Sequence, residues 1–363
     1  MVWRGLLAVA SVASVFGNSG RRQAPESGSA RGSGQGPPPG AAPPEEPPPQ
    51  LAQWPILTAA AGTGLGAAHT TQWTFWDLPA RVVVTSASAR DDAAALVRGE
   101  LAAVDVACNR ARPDSEIASV GDGREVSPLL AEMVGLALEA ARETEGDLDP
   151  TVGALLADRD HHGALVSAGA ARHVQLGQLA VYRPPDWEEV WLDGRRLVVP
   201  EGVTLDLGAT ALARAADRCA ALVAATFDVG VLVSLGRDVA TAGPAPRGGW
   251  QVRAPDTPDD PAMTVALPGG AALATASARD RTWDTAEELV THIVDPETGR
   301  TERQVWRAAS VAAFSCVRAA TIASACLARG VLAPSWLHGI GAPARLVEDD
   351  GSVHHYGTWP PGP

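Results

Sequence analysis

A ten-residue segment, 291–300, concentrates the side chains that move protons and bind phosphate. Its sequence is T-H-I-V-D-P-E-T-G-R, which holds an imidazole, carboxylates, hydroxyls and a guanidinium. A strand is expected to end there in an Asp-Pro turn that Gly299 closes, and such a turn can aim backbone amides at an anion. The same composition also occurs in plain capped turns. His292 is the titratable group of this candidate site.

Three further segments have compositions that suit a ligand. Residues 146–153, G-D-L-D-P-T-V-G, repeat the order carboxylate, proline, hydroxyl, glycine, although a helix-capping turn has the same composition. Residues 205–211, L-D-L-G-A-T-A, lead from a strand into a helix, where free N–H groups and the helix dipole favour a phosphate. Residues 273–277, L-A-T-A-S, suit either tight packing or close approach of the backbone to a flat ligand. Each segment by itself is a weak signal.

The composition excludes several classes of protein. The 363 residues carry 42 acidic and 29 basic side chains, and the net charge of −13 argues against a nucleic-acid partner, because phosphate contacts need concentrated positive charge. The sequence contains no lysine, which excludes the lysine of a P-loop and a pyridoxal Schiff base. The four cysteines lack metal-ligand spacing and are expected to be buried small side chains.

The sequence divides into a tail and a folded domain. Residues 1–20 contain an apolar run of the length of a signal-peptide core, without a clean cleavage site. If it acts as a signal, the protein is exported or membrane-associated; if it is a mis-assigned start, the protein is cytoplasmic. Residues 21–72 are rich in Pro, Gly and Ser and are expected to form a linker. Ordered structure is expected over residues 73–363.

Hydrophobic periodicity predicts the elements of that domain. Helices are expected at 91–107, from a Ser127 N-cap, at 210–225 and at 316–329. Strands are expected at 81–85, 229–235, 250–253, 263–267 and 289–294, with hairpins across Asp193-Gly194 and Asp350-Gly351. Helices and hairpins are intermixed without regular βαβ alternation. The expected fold class is α+β, a mixed sheet with packed helices.

In this order and at this spacing the segments resemble the ApbE family, the FAD:protein FMN transferases. Residues 292–299 match its H-I-x-D-P-x-T-G signature, and residues 149–153 match its D-P-T-V-G segment. Residues 109–117, N-R-A-R-P-D-S-E-I, are similar to its S-R-[FY]-x-P-D-S-E-[IL] stretch, and residues 206–209 to its D-L-G-[GA] junction. The resemblance extends from about residue 73 to residue 359. Within the family, the sequence is similar to the version that is common in high-GC Gram-positive bacteria.

The resemblance implies a Mg²⁺-dependent transfer that uses FAD as its substrate. FAD is cleaved at its pyrophosphate, FMN is esterified to a threonine hydroxyl of a partner flavoprotein, and AMP is released. Phosphoryl transfer of this kind requires positioning and neutralisation of charge. The implied partner is an acceptor flavoprotein, and membrane association is expected only through that acceptor or the N-terminal segment.

The resemblance also implies roles for particular residues. By position it implies contacts with FAD at Leu148, Asp149, Asp206, Leu212 and Ile293. It implies Mg²⁺ ligands at the backbone carbonyl of Ala209 and the hydroxyl of Ser324. His292 stands near the pyrophosphate, either as a proton acceptor or as a side chain that orders the loop through a hydrogen bond.

Four positions depart from the family pattern. Ala320 replaces the Asp that binds the metal, and a hard Mg²⁺ prefers such a carboxylate. Leu212 replaces a lysine, Arg237 replaces a glycine of the G-G-D turn, and Ala111 replaces an aromatic residue. The leading function is FMN transfer; the alternatives are a catalytically impaired homologue that binds flavin without transfer, and a hydrolase that splits FAD into FMN and AMP.

Overall fold

The α-helices follow the apolar periodicity of the sequence. A computed structural model describes residues 54–59, 69–121, 123–154, 156, 174–176, 179–181, 186–254, 263–279, 282–284, 289–291 and 305–361, which lie in one unit spanning residues 49–363. In these residues the helices are α1 (Arg90–Cys108), α2 (Pro128–Glu143), α3 (Gly208–Phe227), α4 (Cys316–Arg329) and α5 (Ala333–Ile340). Ser127 caps α2 as predicted, because its Oγ accepts the N–H of Leu130 at 3.1 Å.

The strands, in chain order, are mostly short and antiparallel. They are β1 (Thr58–Ala59), β2 (His69–Phe75), β3 (Leu78–Val84), β4 (Arg124–Glu125), β5 (Val174–Leu176), β6 (Leu179–Val181), β7 (Trp191–Asp193), β8 (Arg196–Val198), β9 (Val231–Leu235), β10 (Asp238–Ala242), β11 (Trp250–Ala254), β12 (Met263–Leu267), β13 (Ala272–Ser277), β14 (Thr282–Asp284), β15 (Leu289–Thr291), β16 (Trp306–Ala313), β17 (Ala344–Glu348) and β18 (Val353–Tyr356).

An eight-stranded antiparallel sheet forms the centre of the fold. Its order is β18-β17-β16-β13-β10-β9-β3-β2. On one face α1 packs on β2 and β3, α3 on β9 and β10, and α4 on β13 and β16. The large apolar core lies between this face and the helices, and α2 contacts α1 and α3. The sheet is wholly antiparallel and carries helices on this face, which confirms the predicted α+β class.

The opposite face of the large sheet buries a second, smaller core. A three-stranded sheet of order β1-β12-β11 packs there, with Trp250 and Leu267 fully buried. The strands at 250–253 and 263–267 were expected from the sequence, but the pairing of β1 with β12 was not. Stacking two sheets in this way explains why both faces of β9, β13 and β16 are apolar.

Most expected elements form, with small shifts at their ends. The hairpin of β7 and β8 pairs Asp193 with Arg196, so its two-residue turn is Gly194-Arg195, one residue later than the Asp-Gly turn predicted. The reason is that Gly194, with φ of 56°, takes the left-handed conformation at the first turn position. The closing hairpin across Asp350-Gly351 is confirmed by β17 and β18.

Residues within the range 21–72 join the fold, which differs from the linker expectation for those residues. Trp54 and Leu57 are buried, and the Trp54 Nε1–H donates to the carbonyl of Ile340 at 3.2 Å. The guanidinium of Arg318 lies 4.6 Å from the centre of the Trp54 ring. Strand β2 also begins at His69, four residues before the expected start. The buried aromatic and aliphatic side chains supply the apolar area that the surrounding Pro- and Gly-rich sequence lacks.

Trp54→Ala is expected to lower the free energy of unfolding by about 3 kcal/mol, because a buried indole and its hydrogen bond are lost. Trp191→Ala is the matched control, since Trp191 is half exposed and its removal is expected to cost less than about 1 kcal/mol. Deletion of residues 1–53 is expected to leave the melting temperature unchanged. Urea and thermal unfolding measure all three, and equal losses from the two Trp variants would show that Trp54 does not anchor the segment.

Candidate functional site

Antiparallel packing of α1, α3 and α4 brings three of the predicted segments, 109–117, 146–153 and 205–211, to one end of the helical layer. The Arg218 guanidinium of α3 binds Glu100 of α1 at 2.7 Å, and Arg110, just after α1, pairs with Asp206, just before α3. Helix α4 begins beside Asp217, at the middle of α3, where backbone N–H groups of the first turn of α4 donate to that carboxylate. We call the end where α1 and α4 finish and α3 begins the site end.

The loop after α2 reaches the site end and carries Leu148 and Asp149. The last residue of α4, Arg329, pairs with Asp147 and donates to the carbonyl of Thr144 at 2.9 Å. The Thr144 hydroxyl in turn accepts the N–H of Leu148 at 3.2 Å. Both ends of the loop's backbone are thus held by hydrogen bonds to the helices, so the position of Leu148 and Asp149 is set by α2 and α4.

Asp149 is a buried carboxylate that organises its own turn. Its Oδ1 accepts the N–H of Thr151 at 2.7 Å and the Thr151 hydroxyl at 2.5 Å. Burial raises the pKa of Asp149 above its ordinary value, and the hydrogen bonds from Thr151 and from the backbone of Trp187 oppose that rise. The D-P-T-V-G segment is therefore an Asx-type turn with a partly desolvated carboxylate at its start.

Two of the predicted ligand-binding segments lie directly against each other. Val152 forms a parallel bridge with Thr204, and the Gly153 N–H donates to the Thr204 carbonyl at 3.1 Å. The Asp206 N–H donates to the carbonyl of Pro150 at 2.7 Å. A Cβ on Gly153 would lie 2.5 Å from the Thr204 carbonyl oxygen, so only glycine permits this approach. The contact places Asp149 and Asp206 in two neighbouring chain segments, which we call the Asp149–Asp206 junction.

Asp206 has both carboxylate oxygens engaged. Its Oδ1 accepts the N–H of Gly208 at 2.7 Å, which caps the start of α3, and its Oδ2 pairs with the Nε of Arg110. The side chains of Arg110 and Asp206 are only 17% and 14% exposed. The pair is therefore more strongly coupled than a surface ion pair, and it places a cation beside the N-terminus of a 20-residue helix.

The first turns of α3 carry two further predicted residues. Ala209 is exposed in the first turn, and Leu212, three residues later, is half-buried and packs against the large core. A lysine at position 212 would carry an ammonium group at the end of its side chain, whereas the Leu212 side chain ends in two methyl groups. At the helix start, the N–H groups of Gly208, Thr210 and Ala211 already have acceptors within the chain, and position 212 supplies no cation.

Helix α4 places Ser324 toward the site end. Ser324 is half-buried on α4, while Ala320, one turn earlier, is buried. Because α3 and α4 run antiparallel, Ser324 and Ala209 lie toward the same end of the helix pair. That Ala209 and Ser324 bind one metal ion stays a prediction.

The described side chains do not form a complete magnesium site. Over the described ranges, no three His, Cys, Asp or Glu side chains cluster closely enough to hold a metal ion. Two carboxylates at the site end already have guanidinium partners, Asp147 with Arg329 and Asp206 with Arg110. A Mg²⁺ ion prefers carboxylate oxygens, and at position 320 the chain offers a methyl group. Within the described residues, neither Asp147 nor Asp206 is a free ligand for a metal, and position 320 supplies no carboxylate.

The remaining predicted residues either pack inside the sheet or lie outside the residues that the structure describes. In segment 273–277 the Thr275 hydroxyl hydrogen-bonds the Ser310 hydroxyl at 2.8 Å inside the sheet, which supports the packing interpretation of that segment. His292 and Ile293 lie outside the described residues. Among the described residues on either side of this stretch, the Ala278 N–H donates to the Arg307 carbonyl at 2.9 Å.

Sequence reasoning did not assign roles to Arg110, Thr151 or Arg329. Arg110 lies in the stretch 109–117, where Glu116 has a structural role: its carboxylate accepts the N–H and the hydroxyl of Ser127, both at 2.6 Å. The stretch thus both starts α2 and delivers Arg110 to Asp206. The sequence displays an arginine motif and an aspartate motif. Because 96 residues separate Arg110 from Asp206, the sequence alone does not show that the two side chains pair.

A cavity of about 650 Å³ lies between α2, α3 and α4, away from this junction. Three arginines line it, yet each already has a partner: Arg214 binds Glu132, Arg318 faces Trp54, and Arg142 faces Trp187. Neither Asp149 nor Asp206 lines it. The motifs of residues 149–153 and 205–211 therefore lie at the Asp149–Asp206 junction and not at this cavity.

Together these features define an α+β protein in which the turn that starts at Asp149 meets the start of α3. A model of the ApbE family matches residues 74–339, and the chain belongs to the ApbE family. A search of the curated proteins found no match.

Solved structures share the fold. The ApbE protein of Thermotoga maritima is 20% identical, with a TM-score of 0.65 over 79% of this chain and 96% of that one. The apo form of the Pseudomonas stutzeri flavinyl transferase ApbE is 18% identical, with a TM-score of 0.66 over 80% and 95%. The flavin transferase ApbE of Vibrio cholerae is 18% identical, with a TM-score of 0.62 over 80% and 98%. At this identity the similarity establishes the architecture.

Proposed function

We propose that this chain is a flavin transferase that cleaves FAD and esterifies FMN to a threonine hydroxyl of a partner flavoprotein. The observation that carries the proposal is the junction of residues 149–153 with residues 204–208, in which two motifs of the ApbE family meet at the start of α3. The solved neighbours include proteins titled flavinyl transferase and flavin transferase.

The proposed reaction transfers the phosphoryl group of FMN from the bridging oxygen of FAD to the oxygen of a threonine side chain. The threonine oxygen attacks the phosphorus on the FMN side of FAD, the bond from that phosphorus to the bridging oxygen breaks, and AMP leaves with that oxygen. The threonine proton passes to a base or to solvent. His292 is the candidate acceptor, and ordering of its loop through a hydrogen bond is its alternative role.

In this proposal the described residues bind and orient the dinucleotide. The dipole of the α3 start favours the pyrophosphate, and the turn at Asp149 borders the same junction. When bound, Mg²⁺ neutralises phosphate charge in reactions of this class. The contribution of the described residues to this reaction is positioning.

The proposal is tested by incubating the full-length protein with FAD, Mg²⁺ and an acceptor domain that carries the Ser/Thr-Gly-Ala-Thr type of sequence. Mass spectrometry is expected to show an FMN-sized addition on the acceptor threonine together with released AMP. The matched control is the same acceptor with that threonine changed to valine. FAD bound but unchanged identifies the alternative, a flavin-binding homologue, and FMN and AMP without acceptor modification identify a hydrolase.

The absence of a carboxylate at position 320 favours the flavin-binding alternative and leads to a prediction. Ala320→Asp is expected to raise the affinity for Mg²⁺ by about tenfold, because it adds the charged ligand that position 320 lacks. Without Mg²⁺ the buried carboxylate is expected to lower the free energy of unfolding by roughly 2 kcal/mol.

The control for that experiment is Ala320→Asn, which has nearly the same volume and no charge. Thermal unfolding with and without Mg²⁺, in the presence of FAD, compares the two variants, and the transfer assay at limiting Mg²⁺ compares their rates. We expect Mg²⁺ to stabilise the Asp variant more than the Asn variant. Equal stabilisation would show that position 320 does not face a metal.

A further inference from the structure

The turn that follows α1 holds Arg110 in a fixed direction. Asp105 anchors this turn, since its carboxylate accepts the Nε1–H of Trp76 at 2.6 Å, the Nδ2–H of Asn109 at 2.8 Å and a guanidinium N–H of Arg112 at 2.8 Å. Asn109 closes the turn by accepting the N–H of Ala111 at 3.0 Å. With both of its sequence neighbours bound in this turn, Arg110 projects to α3 instead.

The partner of Arg110 lies at the helix start to which the proposed function assigns the pyrophosphate. Asp206 precedes α3 directly, and its carboxylate caps the N–H of Gly208. An unpaired carboxylate at this point would repel a pyrophosphate and cancel the favourable helix dipole. Position 212 supplies no cation, because it is Leu212, and the chain contains no lysine. The cation that faces Asp206 comes from Arg110, 96 residues earlier in the sequence.

We propose that Arg110 is a positioning residue for the pyrophosphate of the dinucleotide: it neutralises Asp206 and holds that carboxylate in its helix-capping orientation. This inference rests on the proposed function, since it takes FAD as the ligand. Arg110 acts through Asp206, so its removal matters only while position 206 bears a charge. The expected ligand class is any molecule with a pyrophosphate, which includes both FAD and ADP but excludes riboflavin.

The test is a double-mutant cycle on ligand binding by the full-length protein. Arg110→Ala is expected to weaken binding of FAD and ADP by about 30-fold or more, because it leaves Asp206 charged and unpaired in a partly buried site. In the Asp206→Asn background the same change is expected to cost less than about threefold. Arg110→Lys keeps the charge and is expected to recover part of the affinity. Isothermal titration with FAD, ADP and riboflavin measures each step.

The matched control is Arg195→Ala, because Arg195 also pairs with a carboxylate of another strand, Glu125, but lies at an exposed hairpin. It is expected to leave FAD binding unchanged. If Arg110→Ala unfolds at the assay temperature, comparison of Arg110→Lys with Arg110→Gln, which differ in charge, replaces it. Equal affinities for FAD in that pair, or in the wild type and Arg110→Ala, would overturn the inference.

Other outcomes also decide the matter. Equal losses in the two Asp206 backgrounds would mean that Arg110 touches the ligand itself, which overturns the neutralising role. An equal loss for riboflavin would show a merely structural effect and would overturn it as well. Wild-type protein that binds neither FAD nor ADP contradicts the proposed function, and this result is distinct from binding that is insensitive to Arg110.

Discussion

Asp149→Ala is expected to reduce the affinity for FAD by at least about 100-fold while the protein still unfolds cooperatively. The carboxylate organises the loop that borders the start of α3, since its Oδ1 binds both the backbone and the hydroxyl of Thr151. Without it these two donors lose their acceptor, and the backbone of residues 149–151 loses its fixed orientation toward Asp206. Fluorescence titration of FAD, with thermal unfolding of the same samples, measures both effects.

Asp149→Asn is the matched variant for this experiment. It keeps an oxygen that accepts from Thr151 but removes the charge. If the carboxylate serves only to shape the loop, the Asn variant retains FAD; if the ligand also needs its charge, the Asn variant loses FAD with an intact fold. Unaltered FAD retention in Asp149→Ala contradicts the assignment of Asp149 to the site.

The buried state of Asp149 also predicts a pH dependence of stability. Its pKa in the folded protein is raised by burial above the ordinary aspartate value, so the folded state binds the proton more tightly than the unfolded chain. The stability that this provides is full below the ordinary pKa of about 4 and is lost as pH rises through the folded pKa. As pH rises through the folded pKa, the free energy of unfolding of Asp149→Asn is therefore expected to increase relative to that of the wild type. Urea unfolding at several pH values measures this difference.

The helices and the fold class were predictable because they depend on local patterns. Ser127 and the apolar stripe that follows it specify α2 within about one turn, and the structure confirms the cap. The cysteines, too, are buried as their apolar neighbours indicated. These signals act between residues fewer than five positions apart, so a sequence displays them directly.

The contacts that assemble the site are between residues far apart in sequence, and periodicity does not reveal them. Arg110 binds Asp206 across 96 residues, and Arg329 binds Asp147 across 182. Motif resemblance identified Asp149 and Asp206 as site residues but gave no reason for the arginine that pairs with one of them. Guanidinium groups have long, flexible stems, so the identity of their carboxylate partners is decided only by the packing of the helices that carry them.

Gly153→Ala is expected to cost about 2 to 4 kcal/mol of unfolding free energy and to abolish FAD binding together with it. The new Cβ would lie 2.5 Å from the carbonyl oxygen of Thr204 and 3.0 Å from backbone atoms of Leu205, none of which can rotate away. The two segments must therefore separate, and with them Asp149 and Asp206.

Gly99→Ala is the control for that change, because Gly99 lies within α1 and no atom within 4 Å would meet its Cβ. It is expected to raise stability by about 0.5 to 1 kcal/mol through helix propensity and to leave FAD binding unchanged. Urea unfolding and FAD titration on both variants separate the two glycines. If Gly153→Ala matched Gly99→Ala in both measurements, the close contact between residues 152–153 and 204–205 would not be what holds the site together, and the link from backbone approach to ligand binding would fail.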